Sequence, residues 1–229
     1  MSKVNCCPIC GSENLEDLIY HQNNYKCKEC GHLFKGGMFN YDWYKNVDYW
    51  YKDSPETLRR YQKMFYAVFE DFIQKGNTLE IGAADGDFLY HVNKHFPDNK
   101  ITYCELTDIC RQEYSGFISE KIIGDFTKLE IINETYKNIF LNDVIEHFDN
   151  IWGSMDKLMS LMETGSRLFI ITNNGDFLNA HNELIYHQEH INIFTAKSWE
   201  IFTNKYPLKE LLHFNSPQGL TFIVMEYQV

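Results

Sequence analysis

Thr78-Leu79-Glu80-Ile81-Gly82-Ala83-Ala84-Asp85-Gly86-Asp87-Phe88-Leu89 is the stretch on which the fold turns. A short apolar strand carries an acid near its end, Gly82 and Gly86 permit a tight turn, and a helix starts at once. A strand that runs into a glycine-bearing turn lets backbone approach a ligand closely, and open α/β sheets hold ligands at the carboxyl ends of their strands. The segment supplies neither the G-x-G-x-x-G of dinucleotide sites nor the G-x-x-x-x-G-K-[ST] of phosphate loops. It offers carboxylates where those loops offer amides, so the expected ligand is cationic, or carries an amine and ribose hydroxyls.

Outward from this loop the pattern alternates. Upstream, Ser54-Pro55-Glu56 reads as a helix start, with Ser at the cap, Pro at the first helical position and an acid in the first turn beside the positive end of the dipole. Leu58, Tyr61, Phe65, Val68, Phe69 and Phe72 follow at helical spacing until Gly76. Downstream, strands are expected at 100–106, 118–124, 138–143 and 167–174, with helices over 87–96, near 107–115 and over 151–162. The segments 208–214 and 220–227, parted by Asn215-Ser216-Pro217-Gln218-Gly219, read as a closing hairpin. The expectation is a Rossmann-like, doubly wound, mostly parallel seven-stranded sheet with a C-terminal antiparallel hairpin, over residues 41–229.

Ahead of it, residues 1–40 hold two knuckles, Cys7-Pro8-Ile9-Cys10-Gly11 and Cys27-Lys28-Glu29-Cys30-Gly31. Two residues between ligands let one turn grip one ion, and Gly relieves the left-handed backbone that follows, so Cys7, Cys10, Cys27 and Cys30 match a tetrahedral thiolate zinc site. Four thiolates leave no open position. The expected role is structural, a zinc ribbon too small to fold by apolar burial, with the ion contributing ~10 kcal/mol or more. Cys6 is a spare thiol. Cysteines in metal pairs, and scattered ones such as Cys104 and Cys110, fit a reducing compartment better than a disulfide framework.

Net charge is −11, and residues 1–40 are neutral with four Lys against four acids, so the whole excess lies beyond them. That argues against nucleic acid as a partner, because such affinity rests on clustered Lys and Arg. No apolar run long enough to span a membrane and no secretory pattern is evident, so a cytoplasmic protein is expected. Aromatic residues make up 16% of the chain, enough both for a large core and for the walls of a small-molecule pocket.

The loop, the acid Glu105 after the second strand, Gly124-Asp125-Phe126, and Asn142-Asp143-Val144-Ile145-Glu146-His147 after a hydrophobic strand together resemble the class I S-adenosylmethionine-dependent methyltransferases across residues 54–229. The resemblance implies that Glu80 and Gly82 lie beside the methionine part of the cofactor, with Gly86 allowing close approach. It implies that Glu105 accepts from both ribose hydroxyls, that Asp125 accepts from the adenine amino group with Phe126 against the ring, and that the Asn142 backbone borders the sulfonium. Ala83, Phe88 and Leu106 complete the implied cofactor contacts.

A zinc module before such a domain resembles two groups, the C-methyltransferases of nucleotide-linked deoxysugars and certain ribosomal RNA methyltransferases. Charge favours the sugar group. So do Asp48-Tyr49-Trp50-Tyr51 and Glu189-His190-Ile191-Asn192-Ile193-Phe194, which is similar to the Glu-His pair carrying base chemistry there. That group continues into a second α/β domain past the point where this sequence stops, at Val229. The expected acceptor is therefore an oxygen of a sugar or sugar-linked precursor, with carbon methylation, RNA methylation and a noncatalytic cofactor-binding module as the alternatives.

Methyl transfer needs an aligned nucleophile and often a base for its proton, for which His titrates in the right range. His190 is the leading base, with Glu189 orienting it and His187 nearby; His147 is second, and Tyr49 and Tyr51 would close over the pocket. Asp143-x-x-Glu146-His147 with the distant His190 is alternatively an oxygen and imidazole set for a divalent ion.

Overall fold

The computed structural model describes residues 5–18, 24–36, 55–129, 134–177 and 189–228. Three short strands, β1 (Leu15–Asp17), β2 (Asn24–Cys27) and β3 (Leu33–Lys35), form the N-terminal ribbon. Its two knuckles are bonded alike. Gly11 N donates to Cys7 O and Gly31 N to Cys27 O, while Cys7 N and Cys27 N donate to Ser12 O and His32 O. The four sulfurs this brings together lie within 4.8 Å of one another. Cys7–Cys30 and Cys10–Cys27 are 3.7 and 3.4 Å apart, close to the spacing that thiolates about 2.3 Å from one tetrahedral ion require. Cys6 is exposed and outside the cluster.

The ribbon borrows its fourth strand. β9 (Asn192–Ile193) pairs with β3, so the sheet runs β1-β2-β3-β9 and ties residue 34 to residue 192. Trp152 Nε1 donates to Pro8 O at 2.6 Å, and Thr195 Oγ1 to Cys30 O at 2.7 Å. Cys7, Ile9, Cys27 and Phe34 thereby join the core of the larger domain, which supplies the apolar burial so small a module cannot make alone.

The larger domain opens with α1 (Pro55–Phe69), prolonged by a 3-10 turn at Glu70–Phe72. The expected cap at Ser54 and the aromatic connector with Tyr49 lie outside the described residues. Next come β4 (Thr78–Ile81), α2 (Asp87–His95), β5 (Ile101–Glu105), β6 (Glu120–Ile123), β7 (Tyr136–Asn142), α3 (Ile151–Ser160) and β8 (Met162–Asn173). After β9 the chain forms α4 (Ala196–Thr203) and the hairpin β10 (Leu208–Asn215) and β11 (Leu220–Tyr227).

These strands build the expected seven-stranded sheet, in the order β10-β11-β8-β7-β4-β5-β6. From β8 to β6 all neighbours are parallel, and β11 runs antiparallel to both β8 and β10. Strand order reverses at β4, so a crevice opens between the tips of β4 and β7. Both faces are covered. Phe140, Phe169, Ile171, Phe222 and Val224 face α1 and α2, while Leu141, Leu168, Ile170, Ile223 and Met225 face α3, α4 and the ribbon. Alternation hidden inside all-apolar runs is what a sheet buried on both sides produces. Rings of Phe140 and Phe169 stack at 4.3 Å with Phe69 and Phe88 edge-on to the pair, each contact contributing about 0.5–1.5 kcal/mol.

Two elements differ from expectation. Only a 3-10 turn, Gln112–Tyr114, forms where a helix was expected near 107–115. Arg111 pairs with Asp85 through Nε at 2.7 Å and donates its backbone N to Asp85 O, which holds it extended against the β4–α2 turn. α4 was not expected, although Thr195 and Ser198 form a reciprocal capping box at its start.

Candidate active site

Where β4 ends, Gly82 takes φ +70, and a β-carbon there would collide with Val144 Cγ2. Only glycine lets the turn from β4 pass beneath the segment leaving β7. That segment departs through Asp143 at φ +54, whose backbone N still bonds Ile171 O at 2.9 Å, and folds into a 3-10 turn, Ile145–His147, across the strand tips. Positive φ is tolerated in Asp better than in most residues, and such strain gathers at functional sites.

The space so enclosed is a cavity of about 230 Å³. Its floor is the strand ends: Ile81 and Gly82 of β4, Glu105 and Leu106 of β5, and Asn142 and Asp143 of β7. Gly124, Asp125 and Phe126 after β6 close one side, and Val144, His147 and Phe148 the other.

Glu105 is braced by two amides. Its carboxylate accepts from Ala84 N at 2.9 Å and Leu106 N at 2.6 Å, which fixes both oxygens at the cavity wall. Burial pushes its pKa up against these two bonds. Asn142 Nδ2 donates to Glu80 Oε1 at 2.7 Å, while Glu80 Oε2 and Asn142 Oδ1 are buried with no hydrogen-bond partner. Burial drives the Glu80 carboxyl well above its ordinary range, and the charges of Asp85 and Glu105 add to this. Orphaned acceptors cost about 1–3 kcal/mol each and call for a donor or a cation.

Asp125 accepts from Thr127 N and Oγ1 and pairs with Lys128 Nζ at 2.8 Å. Burial works upward on its pKa, but these bonds prevail and hold it low. The Phe126 ring stacks on Phe148 at 6.3 Å, and Lys157 Nζ lies 4.6 Å from its centroid.

His147 lines the cavity, and its Nδ1 bonds Glu189 O at 2.8 Å. A carbonyl accepts, so Nδ1 carries the proton and the lone pair is on Nε2. Burial lowers its pKa, leaving the imidazole neutral at pH 7. His190 stands behind it, ring centroids 5.2 Å apart, and is not part of the cavity wall.

The sequence-derived residues thus divide. Gly82, Glu105, Leu106, Asp125, Phe126, Asn142 and His147 line the cavity together; Glu80 is reached through Asn142. Ala83 packs with Leu89 and Tyr103, Phe88 points into the core, and Gly86 opens α2, so these three do not line it. His187, Tyr49 and Tyr51 fall outside the described residues. Ala84 and Gln62 line the cavity and were not singled out. Gln62 gave a signal: four residues after Leu58 and three before Phe65, it is a polar residue on the apolar stripe of α1, and its Oε1 is buried without a partner.

Comparison with known proteins agrees with this arrangement. The family model described as a methyltransferase domain matches residues 49–206. No curated protein matches the chain. Among experimental structures, the plantazolicin methyltransferase BpumL in complex with a pentazolic desmethylPZN analog and SAH is similar at a TM-score of 0.59 and 13% identity, over 82% of this chain and 91% of that one. CalO1, a methyltransferase in calicheamicin biosynthesis in its SAH-bound form, gives 0.59 and 14% over 82% of this chain and 59% of that one. The N-methyltransferase NodS from Bradyrhizobium japonicum gives 0.56 and 14% over 77% and 99%. With a family model over more than half its length, and a seven-stranded sheet whose reversal point opens onto a cavity lined by acids, this chain belongs to the methyltransferase domain family and is an S-adenosylmethionine-dependent methyltransferase.

Proposed function

We propose that the protein methylates an oxygen of a small acceptor, a sugar or sugar-linked precursor. The observation that carries the cofactor half of this reading is the Glu105 carboxylate, locked by two backbone amides at the cavity wall. Its unused lone pairs suit the two hydroxyls of a ribose, as an acid after the second strand does in dinucleotide folds. Glu80 Oε2 and Asn142 Oδ1, buried without partners, suit an ammonium and a sulfonium. Leu106 and Phe126 bound a slot for the base, with Asp125 at its edge to accept from the amino group. When bound, S-adenosylmethionine supplies an electrophilic methyl group.

The acceptor enters at the opposite end, among Gln62, Asp143, Val144 and His147. His147, neutral and held in one tautomer by Glu189 O, takes the hydroxyl proton at Nε2 in the metal-free protein. His190, through its contact with His147, and Glu189, through its carbonyl, are the positioning residues. Cys7, Cys10, Cys27 and Cys30 hold a zinc ion whose role is structural, since four thiolates leave no site for substrate. CalO1 and BpumL act in the making of natural products, which supports a small acceptor. The net charge of −11 argues against a polyanionic one.

Turnover of S-adenosylmethionine against a panel of sugar nucleotides and free glycosides, with total RNA in parallel, tests this. Formation of a methyl ether on a sugar is expected. Transfer to RNA alone, or cofactor binding without transfer to either class, would refute the acceptor assignment.

A further inference from the structure

Beside the cavity, and reaching it through His147, lies a ligand set that proton transfer does not need. Glu146, His147 and His190 each offer one ligand atom, and the three atoms lie within 4.8 Å of one another. Asp143, which the sequence placed with them, is not in this group. Ligand atoms about 2.0–2.2 Å from one ion lie roughly 2.8–3.6 Å apart when all three are on one side of it, so side-chain shifts of about an ångström bring the cluster to a coordination sphere.

The cluster is built, not incidental. Ile191 N donates to Glu146 O at 2.8 Å while His147 Nδ1 donates to Glu189 O at 2.8 Å. Two bonds running in opposite senses thus lock the backbone that carries His190 against the backbone that carries Glu146 and His147. The side chains are oriented in their turn. Glu146 accepts from Thr172 Oγ1 at 2.9 Å and from Asn173 Nδ2 at 3.4 Å, and His147 has its outer nitrogen occupied by a carbonyl, the arrangement that presents Nε2 as a ligand. Glu146 is fully buried, yet both its donors are neutral and no Lys or Arg reaches it among the described residues. The Glu146 carboxylate is thus buried beside two imidazoles with only neutral donors bonded to it, and the nearby Lys35 charge acts on His147 from the ribbon. The ribbon contributes as well: Lys35 N donates to Ile191 O at 2.9 Å, so β3 pins the segment that follows His190.

We propose that Glu146, His147 and His190 bind a divalent transition-metal cation where His147 meets the cavity, and that an acceptor hydroxyl completes its coordination. Two imidazoles and one carboxylate on one side leave positions open for oxygen ligands, a donor set suited to Mn²⁺, Fe²⁺, Co²⁺ or Zn²⁺. The substrate class this favours is one with adjacent hydroxyls able to chelate, such as a vicinal diol. Coordination lowers the pKa of the hydroxyl, whose proton passes to water at the cavity mouth; the oxygen then bonds the methyl carbon while the carbon–sulfur bond breaks and its electron pair stays on sulfur. Only this last step rests on the proposed oxygen methylation. Metal binding does not.

Co²⁺ added to untagged protein whose four-Cys site is already filled with zinc provides the test. One further Co²⁺ per chain should bind, with visible d–d absorption and none of the near-ultraviolet charge transfer that thiolate ligands give. His190→Asn should weaken that binding by tenfold or more while leaving S-adenosylhomocysteine affinity unchanged, which shows the variant is folded; Glu146→Gln should act alike. Absence of the extra Co²⁺, or binding untouched by both variants, would overturn the site. Co²⁺ bound without methylation of any hydroxyl acceptor would instead sink the proposed reaction and spare the metal, whereas efficient transfer by protein that binds no Co²⁺ would do the reverse.

Discussion

The side-chain amide of Asn142 donates to Glu80 Oε1 at 2.7 Å, joining the tips of the two strands, β7 and β4, at which the sheet reverses its order. The bond leaves the other oxygen of each side chain buried and unsatisfied. Burial holds Glu80 protonated over a wider range than an exposed carboxyl. A group whose pKa is raised on folding contributes stability below its unfolded value, about 4.3 for Glu, and that contribution is lost as pH rises through the folded value. Glu80→Gln removes this loss. The variant should melt higher than wild type at pH 8, by about 2–4 °C per 1 kcal/mol gained, yet bind S-adenosylmethionine more weakly. Scanning calorimetry at pH 5 and pH 8 checks the sign, and a variant less stable at pH 8 would contradict it.

For the same reason cofactor binding should release protons. A cationic ligand favours the ionised Glu80, so affinity should rise with pH until the carboxyl is ionised in the free protein. Titration calorimetry at pH 7 in buffers of different ionisation enthalpy reads the proton count directly, and proton uptake would rule out this role for Glu80.

Gly82→Ala places a methyl group against Val144 Cγ2 at a backbone angle only glycine adopts freely. A loss of about 2–4 kcal/mol is expected, part from the left-handed φ and part from the clash. Adding Val144→Ala should return the second part only. Urea unfolding of the single and double variants separates the two; complete recovery would mean that φ costs nothing.

His147→Ala should cut methyl transfer by about 100-fold or more while S-adenosylhomocysteine affinity stays within about threefold, because the ring lines the cavity where the acceptor is proposed to enter. Equal losses in turnover and cofactor affinity would place His147 at the cofactor.

Removing the zinc proposed for the four-Cys cluster should disturb more than the ribbon. Cys30 O accepts from Thr195 Oγ1, and β3 pairs with β9, so the strand following Glu189 and His190 rests on the knuckle. Cys30→Ser should raise amide exchange over residues 191–195 as well as over 24–36. Faster exchange confined to the ribbon would show the two to be independent.

Much of this could be read in the chain. The acid, two glycines and helix start at residues 80–87 located the first strand and its turn, and runs such as Asn138-Ile139-Phe140-Leu141 located the central strands, because a sheet buried on both faces leaves continuous apolar stretches. The cysteine spacing carried the sulfur cluster, since covalent geometry within a knuckle is local. What escaped was non-local. Nothing near Asn192 announces that it will pair with Phe34, and the helix expected after Glu105 yields to an ion pair between Arg111 and Asp85, 26 positions apart. His190 of the Glu189-His190 motif stands behind His147, while Glu189 offers His147 a backbone carbonyl, a placement set by contacts over 40 residues apart in the chain that no local pattern announces.

Calorimetry of S-adenosylhomocysteine with zinc-loaded protein, wild type against Glu105→Ala, tests the nucleoside site at the tips of β4, β5 and β7 most directly. One saturable site per chain is expected, weakened by tenfold or more in the variant, as loss of hydrogen bonds to a charged acceptor worth roughly 1.5–3 kcal/mol requires. No saturable binding by the wild type, or equal affinity in a folded variant, would contradict it.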